Sequence, residues 1–300
     1  MNRCAVAALC ACTSVLASGV SAQQVVDSTF RPTVAAPTFA PGTGPVVLFD
    51  EAHNSFHSLS RSFRPFAELL RLDGYRVVPL ETKLSAAALT GANILVIVNV
   101  LAAENVGNWK LPTPSAYTVE EIEVVRRWVS EGGSLLLVAD HMPFPGATAE
   151  LARALGFDFV NNFAIDTATW DPIVFRRGGG SLNEHSITEG IDSIATFTGQ
   201  AFRAGDSSVM PLLTFGPGVI TYEPAVAWEF EGLPASSAAG MLQGAARTLG
   251  AGRVVVLGEA AMVTAQVAGP NRRPMGMNAP VASQNQRFVL NLMHWLSGVL

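Results

Sequence analysis

The chain has 300 residues, of which 49% are hydrophobic and only 14% charged. That composition excludes a disordered chain, and the length is enough to bury one large core. Nineteen Lys and Arg against 24 Asp and Glu give a formal net charge of −5. The basic residues form no run, which argues against nucleic acid as a partner.

Met1, Asn2 and Arg3 make a short positive start, positions 4–20 carry no charge, and Val20-Ser21-Ala22 offers the small residues a signal peptidase reads. This pattern predicts a signal peptide over residues 1–22, cleaved before Gln23. The apolar stretch is short for an anchor, and no later segment approaches the roughly 20 apolar residues a membrane helix needs. Cys4, Cys10 and Cys12 lie too early for a lipoprotein, and Leu9 precedes Cys10 where a small residue is wanted. The expected product is periplasmic or secreted, with no membrane span in the mature chain. All three cysteines fall in the removed part, so the mature chain has no disulfide, no cysteine-ligated zinc and no thiolate nucleophile.

Residues 23–45, rich in Pro, Thr, Ala and Gly, read as an extended leader or linker, with order expected from Val46. From there to Leu300 the pattern is that of a single α/β domain. Val46-Val47-Leu48-Phe49 reads as a buried strand. Phe63, Phe66 and Leu70 share one face of a helix over 60–73, which Gly74 terminates. Strands follow at 75–80 and 94–98. Thr118-Val119-Glu120-Glu121 is a capping box opening a helix that buries Ile122, Val125 and Val129. A strand at 134–139 and a helix at 147–155 complete a β-α-β-α alternation, which predicts a parallel sheet with helices on both faces. Over about 157–252 the rhythm changes to a β-rich elaboration, with strands at 173–175, 195–202, 211–215 and 225–230. Another buried strand at 253–257 and a helix at 283–296 close the chain.

In open parallel sheets, ligands bind outside the carboxyl ends of the strands. The polar residues of this chain fall at those ends: Asp50, Glu51, His53, Asn54 and His57 after the first strand, Asn99 after the third, Asp140 and His141 after the fourth, Glu259 after the last. Three of the five histidines of the sequence are among them. One reading makes His53 and His57, four apart, ligands of a divalent transition metal such as zinc, manganese or iron. That metal would lower the pKa of a bound water. A second, metal-free reading uses the carboxylates Asp50 and Glu259 with a histidine for glycoside or ester cleavage, and the expected catalytic set over both readings is Asp50, Glu51, Asp140 and Glu259. Asn54, Asn99, His141 and Asn278 would then bind the ligand, Asn278 from a long loop placed as a lid. A third reading makes the same groups a hydrogen-bonded network that organises loops. No G-x-S-x-G elbow or dinucleotide fingerprint is present.

The runs LFDEAHN at 48–54, GGSLLLVADH at 132–141 and GEAAM at 258–262 resemble an uncharacterised bacterial family of the class I glutamine amidotransferase-like superfamily. His185-Ser186-Ile187-Thr188-Glu189-Gly190-Ile191 is similar to the H-P-I-T-x-G-[IL] stretch of trehalose-utilisation-type relatives, with Ser186 in place of proline. The resemblance spans 46–300 and implies a flavodoxin-like, doubly wound, mostly parallel sheet with a β-rich insertion. It also implies a departure in chemistry, because the place of the amidotransferase cysteine reads Ala139-Asp140-His141. Cysteine-dependent glutamine hydrolysis is excluded. The expectation is an exported hydrolase, metal-assisted or not, acting on a saccharide or related small polar molecule. The alternative is a non-catalytic ligand-binding or scaffold domain.

Overall fold

The computed structural model describes residues 24–300; the expected signal peptide lies outside them. Seven strands build the central sheet: β1 (Val46–Asp50), β2 (Arg76–Leu80), β3 (Ile94–Val98), β4 (Ser134–Val138), β5 (Met210–Thr214), β6 (Leu242–Leu249) and β7 (Gly252–Leu257). Their order across the sheet is β5-β6-β7-β4-β3-β1-β2. Strands β1, β2, β3, β4 and β7 run parallel, whereas β6 pairs antiparallel with β7 and β5 antiparallel with β6. The architecture is thus mixed α/β, with a mostly parallel sheet and few helices.

The sequence patterns explain the layers. Every residue of β3 and β4 is buried, as continuous apolar strands must be when both faces are covered. Each large side chain buried in this way contributes about 1.5–3 kcal/mol. On one face Phe63, Phe66 and Leu70 beside helix α1 (Arg64–Leu72) share a core with Phe288 and Leu292 of helix α4 (Asn285–Leu296). On the other, Val125 and Val129 of helix α2 (Val119–Ser130) share a core with Leu151 of helix α3 (Phe144–Ala154). The capping box at α2 is formed: the Thr118 hydroxyl accepts the Glu121 N–H at 3.2 Å, and the Glu121 carboxylate accepts the Thr118 N–H at 3.0 Å. Gly74 ends α1 at φ +92°, where an added Cβ would lie 2.3 Å from the Phe39 carbonyl oxygen.

That contact belongs to the segment read as an extended leader or linker, with order expected only from Val46. Residues 24–45 are instead tied to the body. Val25 and Val26 pair antiparallel with Val267 and Gln266, and the Phe39 ring packs edge-on against Tyr75 at 5.1 Å. Phe30, Val34 and Phe39 supply the apolar surface that makes the docking favourable.

Within 157–252, β5 and β6 extend the main sheet. Phe163–Asp166, Val219–Tyr222 and Ser236–Ser237 form a small sheet of their own, and Ile173–Arg176 pairs with Ser193–Thr196. Two strand expectations differ. The strand expected at 195–202 is shorter and earlier, ending at Thr196. Residues 225–230 form a loop, because Trp228 sits at φ +71° and leaves no room for a continuous ladder. That loop leans on the one before α2: Leu111 N–H donates to Ala225 at 2.8 Å, and Ala227 N–H donates to Trp109 at 2.9 Å. No helix among the described residues is long and apolar enough to cross a membrane.

Candidate functional site at the carboxyl rim of the sheet

Asp50 ends the parallel strand β1, and Asn99, Asp140 and Glu259 follow β3, β4 and β7 within two residues, so these residues share one rim of the sheet. Asn99 joins the middle of it. Its side-chain carbonyl accepts the Asp140 N–H at 2.9 Å, and its amide nitrogen donates to Nε2 of His57 at 3.1 Å. Asn99 reaches both from φ +46°, a left-handed conformation that asparagine tolerates better than most residues.

Two groups emerge along the rim. In the first, His53 is buried between two carboxylates. Nδ1 lies 2.8 Å from Oδ2 of Asp50, and Nε2 lies 3.0 Å from Oε1 of Glu121. Tyr117 donates its hydroxyl to Asp50 at 2.7 Å and lays its ring 4.5 Å from the imidazole. Burial opposes a charge on His53, but Asp50 and then Glu121 outweigh it and raise its pKa. His53 is therefore an imidazolium with both nitrogens committed.

His57 is the opposite case. Ser62 lies 2.7 Å from Nδ1 and Asn99 donates to Nε2, so the ring is neutral with its proton on Nδ1. Burial, aided by Arg61, pushes its pKa down to about 3. The expected pairing of His53 and His57 on one metal is not assembled, since each imidazole has separate partners. Among the described residues, no group of three or more His, Cys, Asp or Glu side chains is arranged to hold a metal ion.

The second group is Asp140, His141 and Glu259. Asp140 accepts the His141 N–H at 2.8 Å, the Thr198 hydroxyl at 3.0 Å and the Ala260 N–H at 3.4 Å. Glu259 is fully buried and accepts the N–H groups of Ala261 and Met262, both at 2.7 Å. Burial and then the neighbouring Asp140 push its carboxyl well above the ordinary range.

His141 differs from the other rim histidines. Nδ1 donates to the Met142 carbonyl at 2.8 Å, which leaves the Nε2 lone pair without a hydrogen bond, 4.0 Å from Oδ1 of Asp140. Burial lowers its pKa against the opposing pull of Asp140, so the ring is neutral. Aromatic side chains wall it in. Phe163 stacks on it at 4.3 Å, Trp228 meets it edge-on at 4.6 Å, and Trp109 and Phe144 stand 5.9 and 6.0 Å away. Trp228 keeps its place at φ +71°, a conformation that costs a bulky residue about 1–3 kcal/mol.

The remaining expected site residues join neither group. Glu51 accepts the Leu59 N–H at 2.8 Å and closes the loop after β1. Asn54, exposed at φ +48°, donates to the Leu101 carbonyl. Asn278 donates to Asp27 at 2.9 Å and to the Gln266 carbonyl at 2.8 Å, so it holds the leader rather than covering the rim. His185 lines a separate depression of about 560 Å³ with Arg177, Glu189 and Asp192, which shares no residue with the rim. Sequence reasoning missed Glu121, Tyr117, Thr198 and the aromatic wall. The available signal was the placement of Trp109 and Trp228 in segments without helical periodicity.

Fold and rim together define an α/β protein with a site at the carboxyl ends of its strands, where one buried, neutral imidazole keeps a nitrogen without a hydrogen-bond partner among aromatic rings. The chain matches no protein-family model and no curated protein. It is similar in fold to the amino-terminal domain of mmIFT52, with 12% identity and a TM-score of 0.61 over 84% of this chain and 97% of that one. The cytoplasmic protein STM3548 from Salmonella typhimurium shows 13% identity and a TM-score of 0.50, over 84% and 98% of the two chains. A ThuA-like protein from Bacteroides uniformis shows 11% identity and a TM-score of 0.49, over 89% and 94%.

Proposed function

We propose that this chain is an exported saccharide-binding domain whose ligand sits against His141 at the sheet rim, without hydrolysing it. One observation carries the reading: the Nε2 lone pair of His141 is the one rim imidazole nitrogen with no hydrogen-bond partner among the described residues. A neutral imidazole accepts a hydroxyl hydrogen, the Asp140 carboxylate beside it accepts a second, and the aromatic faces suit the C–H surface of a sugar ring. The spatial order of the five parallel strands, β2-β1-β3-β4-β7, supports a flavodoxin-like reading, and in such sheets ligands occupy this rim. It supports kinship with the amidotransferase-like superfamily, with Asp140-His141 where the cysteine would stand. The 185–191 stretch supports the trehalose-utilisation-type relatives in particular.

A hydrolytic reading has one observation in its favour, the raised pKa of Glu259 beside Asp140, which is the polarity of a general acid. Both Glu259 oxygens nevertheless hold backbone N–H groups, and both nitrogens of His53 and His57 are engaged. Binding without turnover is the better account of these contacts.

Calorimetric titration of the mature chain with neutral mono- and disaccharides tests the proposal. His141→Phe keeps the aromatic packing but removes the acceptor, and it should weaken binding about tenfold. No binding to any sugar, or undiminished binding by His141→Phe, overturns it. Reducing sugar released by the wild type and not by Glu259→Gln would replace it with the hydrolytic reading. The export half is checked by the amino terminus of the protein recovered from periplasm or medium, expected at Gln23.

A further inference from the structure

His141 is one point on a longer run of aromatic contacts. The Phe56 and Trp109 rings lie 5.3 Å apart, Trp109 and His141 5.9 Å, and His141 and Trp228 4.6 Å. The run continues from Trp228 to Phe230 at 6.2 Å and from Phe230 to Trp170 at 6.0 Å. Three of its members are about half exposed: Phe56 at 52%, Trp228 at 47% and Trp170 at 52%. A cavity of about 600 Å³ opens beside Trp228, lined by Val226, Trp228, Glu229, Phe230, Glu231 and Leu233.

Two features separate this run from scattered surface aromatics. Trp228 and Trp170 both occupy the left-handed backbone region, at φ +71° and +64°, where a bulky side chain is an outlier. Both are held there by built turns. Trp170 N–H donates to Asp166 at 2.9 Å, while the Asp166 carboxylate accepts the Ala168 and Thr169 N–H groups at 2.8 and 3.0 Å. The Trp228 turn is pinned by Ala227 N–H donating to Trp109 and Glu229 N–H donating to Val226. Strain of this kind persists where the surroundings over-determine it, and it clusters at active sites, ligand clamps and switch regions.

We infer that the run is a binding track for a linear, neutral oligosaccharide, with one unit at His141, a second in the cavity beside Trp228 and Phe230, and a distal platform at Trp170. This rests on the saccharide reading and deepens it. The track is longer than a single sugar ring, and Phe56, Trp228 and Trp170 each leave about half their surface to a ligand. Glu229 and Glu231 beside the cavity accept hydroxyl hydrogens and repel anionic polymers, as does the chain's net charge of −5. The occupant is therefore neutral and hydroxyl-rich rather than a uronate, a sulfated glycan or a nucleic acid.

The test titrates the intact mature chain with cello-, manno-, xylo- and malto-hexasaccharides and with the matching monosaccharides, read by tryptophan fluorescence and calorimetry. One hexasaccharide should bind at least tenfold more tightly than its monosaccharide. Trp170→Ala should remove most of that gain and leave monosaccharide binding unchanged, while Trp170→Phe should restore it. Equal affinity for the long and short forms, or a hexasaccharide affinity unaffected by Trp170→Ala, overturns the track while the His141 site stands. No binding by any of these sugars is the failure of the saccharide reading itself, and the track falls with it.

Discussion

Nε2 of His53 lies 3.0 Å from Oε1 of Glu121, a residue that also caps α2, so one buried imidazolium ties the loop after β1 to the start of a helix 68 positions away. Nδ1 of the same ring faces Asp50, which makes the contact a three-membered ionic bridge.

The bridge has a pH window. The pKa of His53 is raised in the fold, so its contribution is fully present below 6.5 and is lost as pH climbs through the higher native value. That of Glu121 is lowered: burial raises it, but hydrogen bonds from Thr118 and His53 prevail. Its contribution is present above 4.5 and is lost as pH falls through the native value. His53→Gln should lose about 3 kcal/mol near pH 6, with the deficit shrinking on the alkaline side. Urea unfolding at a series of pH values checks this, and a deficit that stays constant with pH contradicts it.

His57 contributes with the opposite sign. Its native pKa of about 3 means that the unfolded chain takes up a proton below 6.5 and the folded one does not. Stability therefore falls between pH 6.5 and 3 through this residue. Histidine NMR should show a neutral Nδ1–H tautomer that does not titrate from pH 5 to 8. A midpoint inside that range would refute the assignment.

Asn99 combines a left-handed backbone with two side-chain bonds, and the two can be separated. Asn99→Gly keeps the backbone and loses the bonds, whereas Asn99→Ala loses both. The alanine variant should be less stable than the glycine variant by about 1 kcal/mol. Each should fall below wild type by about 2 kcal/mol or more, because the Asp140 N–H loses its acceptor. The reversed order of the two variants in denaturant melts would show that φ is not the constraint.

Glu259→Gln places an NH₂ where a carboxyl oxygen now accepts a backbone N–H from Ala261 or Met262. The expected loss is about 2 kcal/mol at pH 5. It should shrink as pH rises, because a native carboxyl with a raised pKa destabilises the fold above 4.5 and the amide does not. Thermal melts from pH 5 to 9 decide this, and a loss that grows with pH would be inconsistent with a raised Glu259 pKa.

Asp27 anchors the leader. Burial raises its carboxyl, but hydrogen bonds from Thr29 and Asn278 overcome this and bring it down to about 2. Asp27→Ala should destabilise by about 1 kcal/mol at neutral pH, and the difference should vanish as pH falls from 3.8 through 2. Proteolysis before Val46 should accelerate in the variant; an unchanged cleavage rate would separate the leader from the anchor.

The elements of the main sheet were legible because a strand buried on both faces is continuously apolar, as in β3 and β4. Thr118-Val119-Glu120-Glu121 announced α2 because the capping box is local. The polar residues at the strand ends were legible for the same reason, since each follows immediately on an apolar run. Residues 225–230 misled because they are rich enough in apolar side chains to mimic a strand, while the backbone turn at Trp228 leaves no trace in composition. Residues 24–45 misled in the other direction, their Pro and Gly hiding the apolar anchors Phe30, Val34 and Phe39.

By itself the amino-acid order determined which segments are buried, where strands stop, and that no thiol chemistry is available after residue 22. These are matters of local periodicity and residue type. Only the tertiary structure decided that His53 is charged, that His57 is neutral and that His141 keeps an open nitrogen. A histidine's protonation depends on what the crossovers bring to its two nitrogens, and those partners, Glu121, Asn99 and the aromatic wall, come from up to 87 positions away, as between His141 and Trp228.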